Sequence, residues 1–290
     1  LVHWCFDLHP EAAVADGMLP PGGRRVRMLR PLLGYAYRAC DLLVDIGGCM
    51  RDRLSIYRHG RPTATLVPWA LTEPDAPLPV EASERMAVFG RTRLALAYSG
   101  TFGQAHDLRP LLALARRLRG RGGTLAFSIQ GNRADEVRRS VGPEDTNVRF
   151  VPFAPRERLA RRLGCADVHV MSLKEAWTGT VVPSKFFGAL AAGRPVVFAG
   201  SERSAIARWI RQHHVGWVLR PDTAGEVAED MARLAGRPGD MRLLQQRCHR
   251  VYHRHFSRRA VLDGWDSQLR NLVGDTVEST GAREVTRRAA

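Results

Sequence analysis

Residues 181–200 read VVPSKFFGALAAGRPVVFAG, and the reading of this stretch decides the fold. Val181 and Val182 close an extended segment, and Pro183 suits the first turn of a helix, where its missing N–H costs nothing. Ser184 and Lys185 lead into an apolar run through Ala192, and Gly193 supplies the left-handed residue that stops a helix. Pro195 forbids continuation. Val196–Ala199 then has the short, unbroken apolar character of a strand covered on both faces, which belongs in a parallel sheet. The free N–H groups of such a helix start, with a hydroxyl and an ammonium beside them, form a ready anion site. The same residues also suit a plain helix-to-strand unit without a ligand, so the choice falls to the rest of the chain.

Upstream, residues 2–6, 41–46 and 65–68 read as strands, with a basic amphipathic helix over 25–38 and a short helix over 50–57. Residues 71–90 carry Pro74, Pro77 and Pro79 among acidic side chains with no apolar period, which marks a linker over 71–92. A second series follows, with strands at 94–98, 125–130, 148–151, 168–171, 196–199 and 216–219. Helical patterns at 108–118, 135–141, 156–163, 205–213 and 224–235 alternate with them, and helix continues to about 273. Residues 274–290 are polar and read as a disordered tail. Strands alternating with helices at this spacing predict doubly wound parallel sheets, two of them, the first cut short.

The bulk numbers narrow the class. A chain of 290 residues with 44% hydrophobic content can hold two ordinary globular domains. It has no apolar run long enough to span a bilayer and no signal-peptide pattern. Leu1 opens directly on a strand, from which we expect a segment upstream of it. Cys5, Cys40, Cys49, Cys165 and Cys248 are odd in number and scattered, without a CxxC pair, which argues against a disulfide framework or a zinc site and fits a reducing cytoplasm. The net charge of +15 calls for an anionic partner: nucleic acid, an anionic membrane surface or a phosphorylated ligand. No nucleic-acid module and few interleaved aromatics accompany that charge.

Open α/β sheets bind ligands beyond the carboxyl ends of their strands. The Gly100–Gly103 turn lets backbone amides approach an anion, but it is neither GxGxxG nor a Walker sequence. His106 can face a phosphate there, and Asp107 can cap the helix that follows. Glu175 lies just upstream of the anion site, where a carboxylate can take sugar hydroxyls. His213, His214, His249, His253 and His255 sit on basic helices without ligand-spaced partners and read as surface residues, so no metal site is expected. No GxSxG elbow or Cys/His pair offers hydrolase chemistry.

Several stretches together resemble one family. Residues 98–107, YSGTFGQAHD, are similar to the YSGNLGxAHD loop of bacterial GT4-like (group 1) glycosyltransferases, and 182–196 to their VPSKLYGxLAAGRPV. Residues 147–153 and 166–170 look like the family's strand segments, 6–11 like its DLYPE segment, and 67–70 like its PNWA linker start, lacking the Asn. The resemblance implies a GT-B fold: two Rossmann-like domains, the first incomplete at 1–70, a donor-binding domain at 93–256, and a helix at 257–273 crossing back. It implies a retaining transfer from a nucleotide-diphosphate sugar to a polysaccharide or lipid-linked glycan, at the cytoplasmic face of the membrane, with no cofactor. By that resemblance Gly100, Thr101, His106, Ser184 and Lys185 surround the diphosphate, with Lys185 stabilising the leaving charge. Phe153 and Ala154 border the base, Glu175 to Gly179 the donor sugar, and Asp7 or His9 the reacting centre. One departure is Gly188, where many relatives carry a ribose-holding Glu; Thr101 and His106 also replace a basic pair. Related alternatives are a nucleotide-sugar epimerase, which usually shows that Glu, and a catalytically silent nucleotide-sugar binding protein.

Overall fold

The computed structural model describes residues 1–288, with side chains to residue 274. Among these residues the strands form two wholly parallel sheets. The first holds β1 (Val2–Trp4), β2 (Leu42–Asp45) and β3 (Thr63–Thr65) in that order. The second comprises β4 (Leu94–Thr101), β5 (Gly123–Gln130), β6 (Val148–Phe150), β7 (Val168–Ser172), β8 (Val196–Ala199) and β9 (Gly216–Leu219). Its spatial order is β6-β5-β4-β7-β8-β9. Counted from β4 this is the 3-2-1-4-5-6 order of the Rossmann sheet, so the crevice at its switch point opens between β4 and β7.

Every residue of β2, β7 and β8 is buried, which is why β8 runs apolar without alternation and why Asp45, His169 and Ser172 are the polar residues the other two hold. The helix Arg109–Arg119 turns Leu111, Leu112, Leu114, Ala115 and Leu118 inward and its last-turn arginines outward, the expected amphipathic division. One hydrophobic cluster joins the two sheets: Leu43 and Val44 of β2 share it with Phe186, Phe187, Ile206, Ile210, Tyr252 and Phe256. Each such side chain contributes roughly 1.5–3 kcal/mol when fully buried, so the first sheet is built into the same core as the helices behind the second. All five cysteines are buried and free.

The linker departs from expectation. It contains a helix, Ala82–Phe89, whose Val88 and Phe89 bury against Ala95, Ala126, Cys165 and Ala166. Two apolar residues in one final turn leave no period to read in the sequence. The proline-containing part before it is held along its length. Arg194, 1% exposed, donates to the carbonyls of Ala166 (2.7 Å), Gly164 (2.6 Å), Leu78 (2.6 Å), Ala192 (3.2 Å) and Gly193 (3.3 Å). Tyr252 accepts from the Ala70 N–H at 2.9 Å and donates to Glu73. His249 and His253, expected at the surface, both donate Nε2–H to the Pro74 carbonyl, at 2.8 and 3.0 Å, and His249 is buried. A proline-rich segment cannot satisfy its own carbonyls by regular structure, so the neighbouring helix supplies the donors.

Helix starts differ slightly from the sequence reading. The helix in the opening stretch is Lys185–Ala191, so Pro183 stands outside it. The final helix runs Arg258–Arg288, and its Trp265 packs edge-on against Trp4 of β1 at 5.2 Å. It takes in the crossing segment and, in backbone, the tail expected over 274–290 as far as Arg288. Side chains beyond 274, and residues 289–290, lie outside the described residues.

Candidate functional site

The switch-point crevice is organised by one cation. Lys185 is the first residue of its helix, and its side chain reaches across to the carboxyl end of β4. There Nζ donates to the Thr101 carbonyl at 2.8 Å and the Tyr98 hydroxyl at 3.2 Å, and lies 3.5 Å from Nε2 of His106. Nζ also sits 4.9 Å from the centroid of the Tyr98 ring. Gly100 makes this approach feasible. Its φ is +126°, and a Cβ built there would lie 2.5 Å from Cε of Lys185. Any other residue would strain the backbone and push the ammonium out of the crevice.

His106 is fixed from the opposite side. Its Nδ1 lies 2.7 Å from the Ser172 carbonyl at the end of β7, and a carbonyl can only accept, so Nδ1 carries the proton. Nε2 therefore presents its lone pair towards Lys185. Burial, then the neighbouring ammonium, pushes the His106 pKa down to about 4, so the imidazole is neutral. Burial alone brings Lys185 down to about 8. Tyr98, buried between them, donates its hydroxyl to the Thr101 carbonyl at 3.1 Å. All three of the ammonium's N–H groups thus face neutral acceptors. An entering anion would offer a stronger one, because charge-assisted hydrogen bonds are roughly twice as strong as neutral ones.

The structure brings Gly100, Thr101, His106 and Lys185 together, with Thr101 taking part through its carbonyl. Ser184 is exposed at the helix start and makes no capping bond. The expected set of free N–H groups is also reduced, since Phe186 N–H donates to Pro183 at 3.2 Å and Phe187 N–H to Ser184 at 3.1 Å. Anion recognition here therefore rests on the Lys185 side chain more than on the helix end. Asp107 stands one residue before the N-cap, Leu108, yet its Oδ1 accepts from the Arg109 N–H at 3.1 Å, and both its oxygens meet that guanidinium.

Other candidates stand further out. Glu175 is exposed and accepts from Ser201 (2.9 Å) and Arg203 (2.8 Å), whose guanidinium holds its carboxyl below the ordinary range. It lines a cavity of about 850 Å³ beyond β7, β8 and β9, with Lys174, Arg203 and Arg220. Gly179, at φ +80°, packs directly on the Cys49 carbonyl, while Arg53 donates to Thr178 at 2.6 Å. The glycine is thus a contact point between the two halves. Asp7 and His9 are exposed and flank Leu8, whose N–H donates to Thr180 at 2.9 Å, which ties the loop after β1 to the same segment. Among the described residues neither side chain contacts Lys185. Phe153 is exposed and Ala154 buried, just beyond β6. Gly188 has open space, its built Cβ meeting only Leu163 at 3.8 Å. Sequence reasoning missed Tyr98 and Ser172; their position at strand ends beside the switch point was the available signal.

A family model described as "Glycosyl transferases group 1" matches residues 93–237. A known relative, "Probable glycosyltransferase WbjE" of Pseudomonas aeruginosa, is 25% identical over 252 residues, which cover 82% of this chain and 62% of that protein. The chain thus spans less than two thirds of the relative's length. Among solved structures, Anabaena Alr3699/HepE in complex with UDP and glucose superposes with a TM-score of 0.64 at 13% identity, covering 93% of this chain and 71% of that one. WaaG, a glycosyltransferase involved in lipopolysaccharide biosynthesis, gives 0.59 at 15% identity, covering 91% and 74%. At such identities the likeness speaks to the fold alone, which is that of the GT-B glycosyltransferases, two parallel sheets with a crevice between β4 and β7.

Proposed function

The chain belongs to the group 1 glycosyl transferases, and from that premise we propose that it is a retaining enzyme moving a sugar from a nucleotide-diphosphate sugar to a polysaccharide or lipid-linked glycan. The observation that carries this is the Lys185 ammonium at the switch point, held over Gly100 by three neutral acceptors. A diphosphate entering there would replace weak partners with a charged one and pull the Lys185 pKa back up. The ammonium would then meet the charge that develops on the leaving diphosphate, so the scheme asks nothing of a metal ion. His106, kept neutral, adds no competing cation and turns its lone pair on the ammonium. Phe153 and Ala154, two strands along the sheet edge from β4 and so roughly 10 Å away, would border the base. Glu175 would receive donor-sugar hydroxyls, and Asp7 or His9 would face the reacting carbon from the first sheet.

Donor binding tests the proposal directly. UDP is the first nucleotide to try, since HepE was solved with UDP and glucose. Saturable binding of a UDP- or GDP-sugar by calorimetry is expected; a full chain that binds neither removes the donor assignment. Turnover should survive EDTA, and its abolition would contradict the metal-free scheme. The anomeric configuration of the product, read by NMR, should match that of the donor.

A further inference from the structure

The last turns of the helices Ala205–His213 and Pro238–His255 line one groove of about 850 Å³, together with Asp75 of the linker. Residues 241–262 hold six arginines and no carboxylate. Three of the six, Arg247, Arg250 and Arg254, are exposed and lie within about 60° of one another around their helix. At these spacings the like charges repel. None of the three makes an ion pair among the described residues, and Arg247 reaches only the His214 carbonyl, at 3.4 Å. Among the described residues Asp75 is the single carboxylate lining the groove. The cavity beyond β7, β8 and β9 is different, because there Arg203 is paired with Glu175, and Arg220 with Glu202 and Asp222. Free cations without counter-charges thus gather in the groove, not in that cavity.

Flat neutral rings lie beside those cations. The His213 and His255 rings pack 4.7 Å apart and the His249 and His253 rings 4.3 Å apart. Burial lowers the pKa of His213, His249 and His255, so these imidazoles are neutral at neutral pH. Gln212, His213 and His255 also line a second hollow of about 300 Å³, which continues past Trp209 to Thr65 and Leu66 beside β3. One track therefore carries free guanidinium forks at one end and rings, an amide and a hydroxyl along the rest. Guanidinium forks match carboxylates bidentately, and flat rings with polar edges suit pyranoses, which have apolar C–H faces and hydroxyl rims. Along the helix axis the three arginines stand roughly 4.5 and 6 Å apart, about one sugar residue each. We propose that this groove holds a carboxylate-bearing polysaccharide. The choice of a glycan over a nucleic acid rests on the proposed function above. The helix Ala205–His213 begins where the Ala205 N–H meets Sγ of Cys49 in the first domain, at 3.3 Å, and ends in the groove. The groove thus lies roughly 12 Å, one helix length, behind that contact. A glycan held there is kept on the protein between transfers, away from Lys185.

Fluorescence anisotropy of labelled alginate oligosaccharides, titrated with the full chain, tests this. Saturable binding that weakens as salt is added is expected, with none to neutral dextran. Arg250→Gln with Arg254→Gln should weaken alginate binding about tenfold. Arg24→Gln with Arg25→Gln removes the same charge from exposed positions on another helix, and should change it by no more than about twofold. All four positions are exposed, so the core is untouched, and UDP affinity measured on the same samples should not change. Absence of alginate binding overturns the proposal, as does an equal loss from the two arginine pairs, which would reduce the effect to diffuse surface charge. A random DNA duplex that binds more tightly than alginate, and is released by Arg250→Gln with Arg254→Gln, would instead assign the groove to nucleic acid. Absence of UDP binding in the unmodified chain bears on the proposed function, and leaves the alginate result standing by itself.

Discussion

Lys185 and Arg194 bracket one short helix, and both are cations drawn out of water. Burial lowers Lys185 to about 8 and Arg194 to about 10. What separates them is the company they keep. Arg194 spends its planar fork on five backbone carbonyls from three segments and makes no ion pair among the described residues. Lys185 faces one carbonyl, one hydroxyl and one imidazole at the end of β4, beside the crevice. A cation whose donors are all taken by fixed carbonyls is a brace. A cation held by weak neutral partners at a switch point is available to a ligand.

Substitutions separate the two roles. Arg194→Met takes the guanidinium from five carbonyls, of which that of Ala192 keeps the Leu78 N–H, and should cost on the order of 3 kcal/mol or more of stability, read by urea unfolding; a loss within 0.5 kcal/mol or so would deny the brace. Lys185→Ala should weaken diphosphate binding by about 10- to 100-fold, the worth of one charge-assisted bond. Unfolding midpoints should barely fall in that variant, because the buried ammonium is itself a cost.

The pH dependence divides in the same way. Donor affinity should decline as pH rises through about 8, where free Lys185 loses its proton. Stability should move oppositely. The folded pKa lies below the ordinary 10.5, so between pH 8 and 10.5 the unfolded chain binds more protons and the cost of burying Lys185 is relieved. On the acid side burial holds His106 and His169 near 4, so the stability tied to their neutral forms is lost as pH falls from 6.5 towards 4. Tyr98→Phe removes a hydroxyl that accepts from the ammonium, and should shift the alkaline midpoint of donor binding downward; an unmoved midpoint would reduce Tyr98 to packing. The smallest effect is expected from Gly188→Glu. The site has room for it, helix propensity favours it by up to about 1 kcal/mol, and a few-fold gain in UDP affinity would mark the position as facing ribose.

Much of the second sheet was legible because strands buried on both faces write apolar runs, unbroken at 196–199 and interrupted at 168–171 by His169 alone, and because Gly193 stops its helix. The helix Ala82–Phe89 was not, since two buried residues make no period. Within the site, Gly100 and His106 were found from a turn glycine at a strand end, and Lys185 from its place at a helix start. Tyr98 and Ser172 were not, because a tyrosine or serine at the end of an apolar strand looks like any other until the strand order puts β4 beside β7. Gly179 was read toward the sugar, whereas its conformation serves the contact with Cys49. His249 and His253 were read as solvated, because the linker carbonyl that occupies them is far away in sequence.

The central claim is that of two cations drawn out of water, the half-buried Lys185 serves the ligand and the buried Arg194 the fold. UDP titrated calorimetrically into the unmodified chain, Lys185→Ala and Arg194→Met, at a temperature where all three are folded, tests it most directly. The account predicts saturable binding in the first, a loss of about 10- to 100-fold in the second, and near-native affinity in the third. Equal affinity in the unmodified chain and Lys185→Ala would contradict it.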